Sequence, residues 1–566
     1  MERPSEISKL LYVVHVLQVT FTVSACIIYT FGYSAEGFEY SSYNGIGTWM
    51  AILAIALSLT VLLLHHYRRI YTIRTYLSIG IVFALYSLLF LAPVANGYHI
   101  NGRGSDDVLV HLGTVKHILN TGALSGDNWY PIIHILTAEL HFFSIKLRFA
   151  VPILSLVVFL IFTQFLPLLV RAGLGTRYAL PTFIVAAIPI FMKFHTTFHP
   201  VILSTMYLPV VMFVLVKTRS PVRSGLLLLP TITAVIFFHP STTLLVLFPV
   251  LLLSALFSLI DRYRSMYLVG YLLVFILTWY SATERWASQV RVGAGIIFGG
   301  VQSAVSQQTQ QIAATDPTLV ELFVGFVTRY GTIWLYGTVA SLYVIYAVLH
   351  YREVTRFELW SVSNFLVGAI SGTAFLFITL FGRNPVRIAK YAALFSVILV
   401  GFSYVKLTAS SNPGLVKKTS AVLLVLLVFS AAFVSVPRFY PEGDQFTATE
   451  DEGTRWLYQF SESDADALSL ETGDDTLQYY STGRKQLFGT ISENNPPNRL
   501  HNVSQADADY FVSKGYDVYL YERFIKDENE EFRHYTPADL EAKVVGSYET
   551  NKVYSNGEYL IWKLRN

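Results

Sequence analysis

Apolar stretches of about 20 residues, each long enough to cross a bilayer as a helix, alternate with short polar connections along most of this chain. The pattern predicts a polytopic α-helical membrane protein. We predict thirteen spans, at residues 10–31, 47–65, 75–93, 149–170, 178–194, 200–217, 224–239, 242–260, 265–281, 332–350, 359–380, 388–406 and 419–437.

The connections between these spans carry basic residues on alternate turns. Cytoplasmic loops collect Lys and Arg, and if the N-terminus lies inside, every inner turn is basic, as at Arg68, Arg171 and Arg262. Thirteen crossings then place the C-terminal segment outside. We therefore expect a multi-pass cell-membrane protein with a cytoplasmic N-terminus. We expect no cleavable signal peptide, because the first apolar stretch is long enough to span.

Residues 438–566 follow a different pattern. Strand-like segments at 518–521 and 559–562, with an Asn-Gly turn before the second, predict an α/β domain. This segment holds 13 Lys and Arg and 24 Asp and Glu. The first 437 residues hold 28 Lys and Arg and 14 Asp and Glu. The sequence therefore predicts two domains, a membrane domain at 1–437 and an acidic extracellular α/β domain at 438–566.

Composition supports the membrane class and removes several alternatives. The 566 residues are 53% hydrophobic and only 14% charged, which is too apolar for a soluble protein of this size. A single cysteine, Cys26, excludes intramolecular disulfides and cysteine-based zinc or redox sites. The sequence has no nucleotide-phosphate loop and no nucleophile-elbow serine. We expect membrane lipids, but no nucleic acid, among its partners.

Two long outer loops, 94–148 and 282–331, interrupt the apolar pattern. In the first, Asp106 and Asp107 precede an amphipathic helical pattern, and His111 lies one turn after Asp107 on the same polar face. The two carboxylates fit three roles: a general base, ligands of a divalent cation, or simply a helix cap. The second loop is long and polar, which is typical of a lid over a site.

A basic cluster precedes the span at 388–406. Arg383 and Arg387 lie four residues apart, with Tyr391 one turn further on. Two guanidinium groups at a helix start suit a phosphate or pyrophosphate, although interfacial snorkelling is the simpler alternative. In the second outer loop we assign Arg285 to the same phosphate and Glu284 to substrate binding. Their alternative is a surface pair beside an aromatic belt.

Three histidines fall in the tight outer turns. His195 and His199 lie at i and i+4, and His239 follows another span. A three-histidine metal site is one interpretation, whereas capping or hydrogen bonding is the more common role of such residues. We favour hydrogen bonding to a substrate and therefore predict no specific metal ligands.

The arrangement resembles the GT-C superfamily of membrane glycosyltransferases. The resemblance rests on the Asp106–Asp107 motif in a large outer loop, the amphipathic helices after it, the outer arginines and an exterior C-terminal domain. It implies a polyprenyl-phosphate-linked sugar donor, with Asp106 or Asp107 as base or metal-holding residue and Arg383 or Arg387 facing the donor phosphate. The acidic domain is similar to proteins of salt-loving archaea, which suggests an archaeal type.

The chain departs from the family pattern in two ways. The Asp-Asp loop follows the third predicted span rather than the first, which implies two added N-terminal spans. The Trp-Trp-Asp signature of oligosaccharyltransferase catalytic subunits is absent, so we expect transfer of single sugars rather than whole glycans.

Three functions fit the sequence. The first is an inverting glycosyltransferase that acts on a glycan, lipid or protein hydroxyl at the outer face, with Asp107 slightly favoured as the base because His111 is near. The second is a lipid or polysaccharide flippase or transporter, which would place ionisable residues near the membrane midplane. The third is a non-catalytic envelope assembly protein. The ionisable residues gather at the outer edge, which favours the transferase.

Overall fold

The computed structural model describes a large part of the chain. The described residues are 6–31, 46–68, 72–95, 98, 100–101, 108–124, 128, 130–217, 221–239, 242–257, 259, 262–281, 319–378, 386–408, 415–435, 439–440, 445–446, 451–453, 455–456, 466–469, 518–523, 550–555 and 559–564.

The described part up to residue 440 is almost entirely helical. Its helices are α1 (Glu6–Phe31), α2 (Ile46–Arg68), α3 (Ile73–Ala95), α4 (Val108–Thr121), α5 (Pro131–Phe142), α6 (Leu147–Leu174), α7 (Ala179–Ala186), α8 (Pro200–Lys217), α9 (Pro221–Phe238), α10 (Phe248–Leu256), α11 (Arg262–Ser281), α12 (Leu319–Leu349), α13 (Arg356–Ile378), α14 (Val386–Thr408) and α15 (Leu415–Ser435).

Seven helices in the described ranges are long and apolar enough to cross a membrane, and shorter apolar helices accompany them. The chain is thus a multi-pass membrane protein, as predicted, while the count of thirteen spans stays a prediction. The seven segments are Leu11–Tyr29, Ile46–Tyr67, Ile73–Ala95, Leu147–Leu174, Pro200–Lys217, Tyr330–Leu349 and Ala389–Thr408.

One predicted span is wrong. The span expected at 178–194 is not one helix, because α7 ends at Ala186 and a separate 3-10 turn covers Met192–His195. Pro189 accounts for the break, since the residue before a proline disfavours helical geometry. Helix α12 begins at Leu319, two residues after Pro317, but its segment long enough to span begins at Tyr330, so the outer loop at 282–331 stays a prediction.

Helix α14 has a central place in the helical bundle. It packs against α7, α8, α12, α13 and α15. Two glycines permit the closest of these approaches. A Cβ on Gly368 of α13 would lie 2.6 Å from the backbone nitrogen of Ala392, and one on Gly401 would lie 2.7 Å from the Thr182 hydroxyl. The position of α14 is therefore fixed by backbone contact along its length.

The chain divides into two compact units. The first contains residues 1–97, 126–136 and 149–440, and the second contains 98–125, 137–148 and 441–566. In the second unit, strand β1 (Ile100–Asn101) pairs antiparallel with β2 (Gln445–Phe446), which joins part of the first outer loop to the C-terminal segment. The predicted domain boundary at 437/438 remains a prediction.

The C-terminal segment contains a four-stranded sheet in the order β3-β4-β6-β5, from strands β3 (Asp466–Ser469), β4 (Val518–Arg523), β5 (Thr550–Ser555) and β6 (Tyr559–Leu564). Strands β5 and β6 are antiparallel neighbours, as the predicted Asn-Gly hairpin requires, and β3 pairs parallel with β4. The α/β class of this segment stays a prediction.

Candidate functional site

Two segments predicted to lie on the outer surface meet in a cluster of aromatic and imidazole rings. The Tyr130 ring stacks on the His239 ring with centroids 5.2 Å apart, and His134 contacts both Tyr130 and Phe198. His134 Nδ1 is 3.0 Å from the Asn128 side-chain oxygen. The cluster joins the first outer loop to the turns before α8 and after α9. The structure thus places His239 beside Tyr130 in this cluster. The sequence had grouped His239 with His195 and His199 instead.

A buried lysine lies near the start of α14 in the same unit. Lys390 is 1% exposed, and its ammonium donates a hydrogen bond to the Thr242 hydroxyl at 3.2 Å. Thr242 in turn lies 2.6 Å from the hydroxyl of Ser204 on α8. Thr242 follows His239 by three residues, so the lysine and the aromatic cluster share one connection between helices. The Thr242 hydroxyl is thus one hydrogen-bond partner of the buried ammonium.

Lys390 belongs with the predicted basic cluster. Arg387 lies in the first turn of α14, three residues before Lys390. Residues three apart on a helix are neighbours on its surface. The backbone of α14 therefore places two basic residues on adjoining positions near one helix end. A compact ammonium binds phosphate as a point charge, whereas a guanidinium binds it through a planar fork.

His195 and His199 are both buried, and their predicted substrate-binding roles stay a prediction. The His195 ring is fully buried against Phe159, Phe191 and Phe439, and its Nε2 accepts a hydrogen bond from the Phe191 backbone N–H at 2.9 Å. Burial lowers the pKa of His195 to about 3, so the imidazole is neutral at physiological pH. His195 is a structural residue that closes the turn after Pro189.

His199 is also buried, and its ring meets the edge of the Phe194 ring at 5.0 Å. Its carbonyl accepts hydrogen bonds from the N–H groups of Ile202 and Leu203, both at 3.1 Å. These bonds begin α8. The capping alternative given for this position therefore agrees with the structure.

The predicted metal alternative for these histidines is also wrong. Across the described ranges, no three His, Cys, Asp or Glu residues lie close enough together to hold a metal ion. The imidazoles of His195 and His199 are instead packed against phenylalanine rings.

Tyr391 is committed to a contact between helices. It is buried, and its hydroxyl donates a hydrogen bond to the Asn364 side-chain oxygen of α13 at 2.6 Å. Asn364 in turn donates to the Trp360 carbonyl at 2.7 Å. Tyr391 thus forms a bond between α13 and α14, and its contact with a donor phosphate stays a prediction.

Several predicted site residues lie outside the described residues. These are the catalytic candidates Asp106 and Asp107, and Glu284, Arg285 and Arg383, together with the side chain of Arg387. His111 is described in α4, and it is 5% exposed rather than part of an open polar face. Leu109 and Gly113 are buried as well as the apolar stripe of Val108, Leu112 and Val115, so α4 is covered on more than that stripe.

Sequence reasoning missed Lys390, Thr242 and Tyr130. Lys390 was counted inside an apolar span, where one lysine hardly changes the average hydropathy. Its position one turn into a span was nevertheless a usable signal, since ionisable residues within spans are rare and usually functional. Thr242 and Tyr130 carried no comparable signal, because isolated polar and aromatic residues are ordinary in outer turns.

No family model matches the sequence, and no curated protein matches it in sequence. Solved structures do match. The structure of the arabinofuranosyltransferase AftD from Mycobacteria aligns with a TM-score of 0.55 at 14% identity, over 86% of this chain and 40% of AftD. The Archaeoglobus fulgidus oligosaccharyltransferase tethered with an acceptor peptide aligns with a TM-score of 0.50 at 11% identity, over 78% of this chain and 68% of the oligosaccharyltransferase. ArnT from Cupriavidus metallidurans bound to undecaprenyl phosphate aligns with a TM-score of 0.47 at 11% identity, over 86% of this chain and 97% of ArnT.

Proposed function

We propose that this chain, which shares the GT-C fold of these structural neighbours, is a glycosyltransferase that moves a single sugar from a polyprenyl-phosphate-linked donor to an acceptor hydroxyl. The observation that carries the proposal is the buried ammonium of Lys390, which donates a hydrogen bond to the Thr242 hydroxyl and lies one helical turn from Arg387. It supports a site for an anionic group at a membrane boundary.

The neighbours supply the reaction class. AftD is an arabinofuranosyltransferase and the Archaeoglobus fulgidus protein is an oligosaccharyltransferase, so both transfer sugars. The absent Trp-Trp-Asp signature favours single-sugar transfer in this chain. The acceptor is a hydroxyl of a glycan, lipid or protein, and the reaction takes place on the outer face of the membrane.

The bonding changes assign a role to each group. The acceptor oxygen attacks the anomeric carbon of the donor sugar, and a carboxylate of Asp106 or Asp107 accepts the hydroxyl proton. The bond between that carbon and the phosphate oxygen breaks, and the electron pair leaves with the polyprenyl phosphate. Arg383, Arg387 and Lys390 stabilise the negative charge that develops there. One displacement of this kind inverts the anomeric configuration.

The aromatic cluster lies next to Thr242 in the chain, the residue that accepts the hydrogen bond of Lys390. Tyr130, His134 and His239 offer flat apolar faces together with hydrogen-bonding edges. Ligand sites typically combine apolar walls with a few fixed polar groups of this kind. We assign the cluster to positioning of the sugar or the acceptor.

The test is sugar transfer by membranes that carry Asp106→Asn, Asp107→Asn or both changes at matched protein levels. Asn keeps a capping oxygen and nearly the same shape, so a helix cap survives with a loss of at most about 1 kcal/mol. A general base does not survive it, and its loss costs a factor of roughly 10² to 10⁴ in rate. Full activity of the double variant would remove both carboxylates from the mechanism and leave the base to be sought at Glu284.

A further inference from the structure

A cavity of about 1040 Å³ opens in the helical bundle at a place that the proposed reaction does not use. It is enclosed by the ends of α2, α6 and α14 and by the beginnings of α3 and α7. Its volume lies at the upper limit of typical small-molecule sites, roughly 300 to 1,000 Å³.

The cavity lies at the opposite end of the bundle from Lys390. Thr408 lines it and follows Lys390 by eighteen residues on α14, which corresponds to about 27 Å of helix. On α6, Arg171 lines the cavity and follows Ser155 by sixteen residues, or about 24 Å. Ser155 contacts the turn before α8 through the Thr197 carbonyl at 3.4 Å. The two sites are therefore separated by nearly the thickness of a hydrocarbon core.

The lining of the cavity favours an anion. It includes Arg171, Arg177 and His66, and none of the residues that line it in the described part is Asp or Glu. Tyr67 and Thr176 add hydroxyl groups. Such a set presents positive charge and hydrogen-bond donors without a carboxylate of its own to satisfy them.

The two arginines are held in different ways. The Arg177 guanidinium lies over the Tyr178 ring, 4.8 Å from its centroid, and donates a hydrogen bond to that hydroxyl at 3.0 Å. Arg171 makes no hydrogen bond or ion pair with the other described residues. One guanidinium is therefore fixed in orientation before any ligand arrives, which lowers the entropic cost of binding, and the second retains its full donor set.

The rest of the lining is mostly apolar, with Thr75 and Gln164 among its polar residues. It includes Ile79 and Phe83 of α3 and Pro167 and Leu168 of α6. Tyr76 of α3 also lines the cavity and is 67% exposed. A cavity lined by two arginines and by apolar side chains of two predicted spans matches a molecule with a charged head and a hydrocarbon chain.

We propose that this cavity binds an anionic phospholipid, with the headgroup phosphate between Arg171 and Arg177 and an acyl chain between α3 and α6. The basic turns at this end place the bound lipid in the leaflet that we predict to be cytoplasmic. The lipid belongs to the bundle and not to the transfer reaction, because the cavity lies a full span away from the candidate site.

The experiment measures lipid binding by native mass spectrometry of the full-length protein, delipidated in detergent and mixed with phosphatidylglycerol or phosphatidylcholine of the same acyl composition. We expect phosphatidylglycerol occupancy to exceed that of phosphatidylcholine about tenfold. The double variant Arg171→Gln with Arg177→Gln should lose most of this preference. Arg352→Gln is the matched control, because Arg352 also stacks on a neighbouring tyrosine, Tyr351, but does not line the cavity.

A second variant keeps both arginines but fills part of the cavity with a larger side chain. Ala179 lines the cavity, and Ala179→Phe should reduce phosphatidylglycerol occupancy while leaving both arginines in place. Equal phosphatidylglycerol binding by the wild type and the arginine double variant would overturn the proposal. Full displacement of the lipid by millimolar inorganic phosphate would also overturn it, since the site would then recognise phosphate without the chain.

Discussion

Two lysines of α14 lie sixteen residues apart, about 24 Å along one helix, in contrasting surroundings. Lys406 forms an ion pair with Glu358 at 3.1 Å, and Glu358 also accepts hydrogen bonds from the Tyr343 hydroxyl and the Thr355 backbone, both at 2.7 Å. Lys390 donates instead to the hydroxyl of Thr242. The ion pair of Lys406 with Glu358 stabilises the fold, whereas we assign Lys390 to the donor phosphate of the proposed reaction. We therefore expect replacement of Lys390 to weaken donor binding and replacement of Lys406 to reduce stability.

The largest effect is expected at Lys390. A charge-assisted hydrogen bond contributes about 1.5 to 3 kcal/mol, so Lys390→Met should weaken binding of a polyprenyl-phosphate sugar roughly 10- to 100-fold. Lys390→Arg keeps the charge and should recover part of the affinity. The measurement is equilibrium binding of labelled donor to the purified protein, with Lys406→Met as the control at the other end of the helix. Equal losses in the two Met variants would show that Lys390 acts through the fold.

The sequence predicted the fold better than the site. Apolar stretches of spanning length depend only on local composition, so most helices follow the predicted spans, and the predicted resemblance to GT-C glycosyltransferases is confirmed by the structural neighbours. The failure at 178–194 came from Pro189, whose effect on the preceding residue interrupts a hydrophobic run without changing its hydropathy.

The site was harder to predict because it depends on contacts between distant segments. The spacing of His195 and His199 suggested a shared face, but the turn directs both rings into phenylalanine clusters. Lys390 and Thr242 are 148 residues apart, and only the packing of α14 against α8 and the turn after α9 brings them together. Local periodicity contains no information about such a pair.

A smaller effect, on stability rather than binding, is expected at Lys406. Lys406→Met leaves the buried carboxylate of Glu358 without its cation, although Tyr343 and Thr355 remain as donors. Because Lys406 is 21% exposed and Tyr343 and Thr355 still donate to Glu358, we expect the free energy of unfolding to fall by about 1 to 3 kcal/mol. Thermal unfolding in detergent measures it. Adding Glu358→Gln should restore part of the stability, and a further large loss would contradict the ion-pair explanation.

The smallest effect concerns Lys116 in the second unit. The pKa of Lys116 is lowered to about 8, chiefly by burial. The carboxylate of Asp451 raises this pKa and the guanidinium of Arg455 lowers it, both by smaller amounts. Between about pH 8 and 10.5 the unfolded chain therefore holds a proton that the folded chain has released, so stability rises with pH in this window.

Lys116→Met should remove this gain, which we expect to be about 2 °C in Tm between pH 8 and pH 10. The measurement compares the change in Tm of the variant with that of the wild-type protein over the same interval. An identical change in both proteins would mean that Lys116 is as well solvated in the folded chain as in the unfolded chain.

The proposed enzyme forms and breaks glycosidic bonds, whereas a flippase would move lipids across the bilayer. Purified protein in detergent micelles has no two leaflets, so a flippase has no measurable product there. With a labelled polyprenyl-phosphate sugar and a glycan acceptor, we predict labelled product and release of an equal amount of polyprenyl phosphate. Intact donor after incubation with a panel of glycan, lipid and peptide acceptors, while the same protein moves the donor between leaflets of vesicles, would contradict the account.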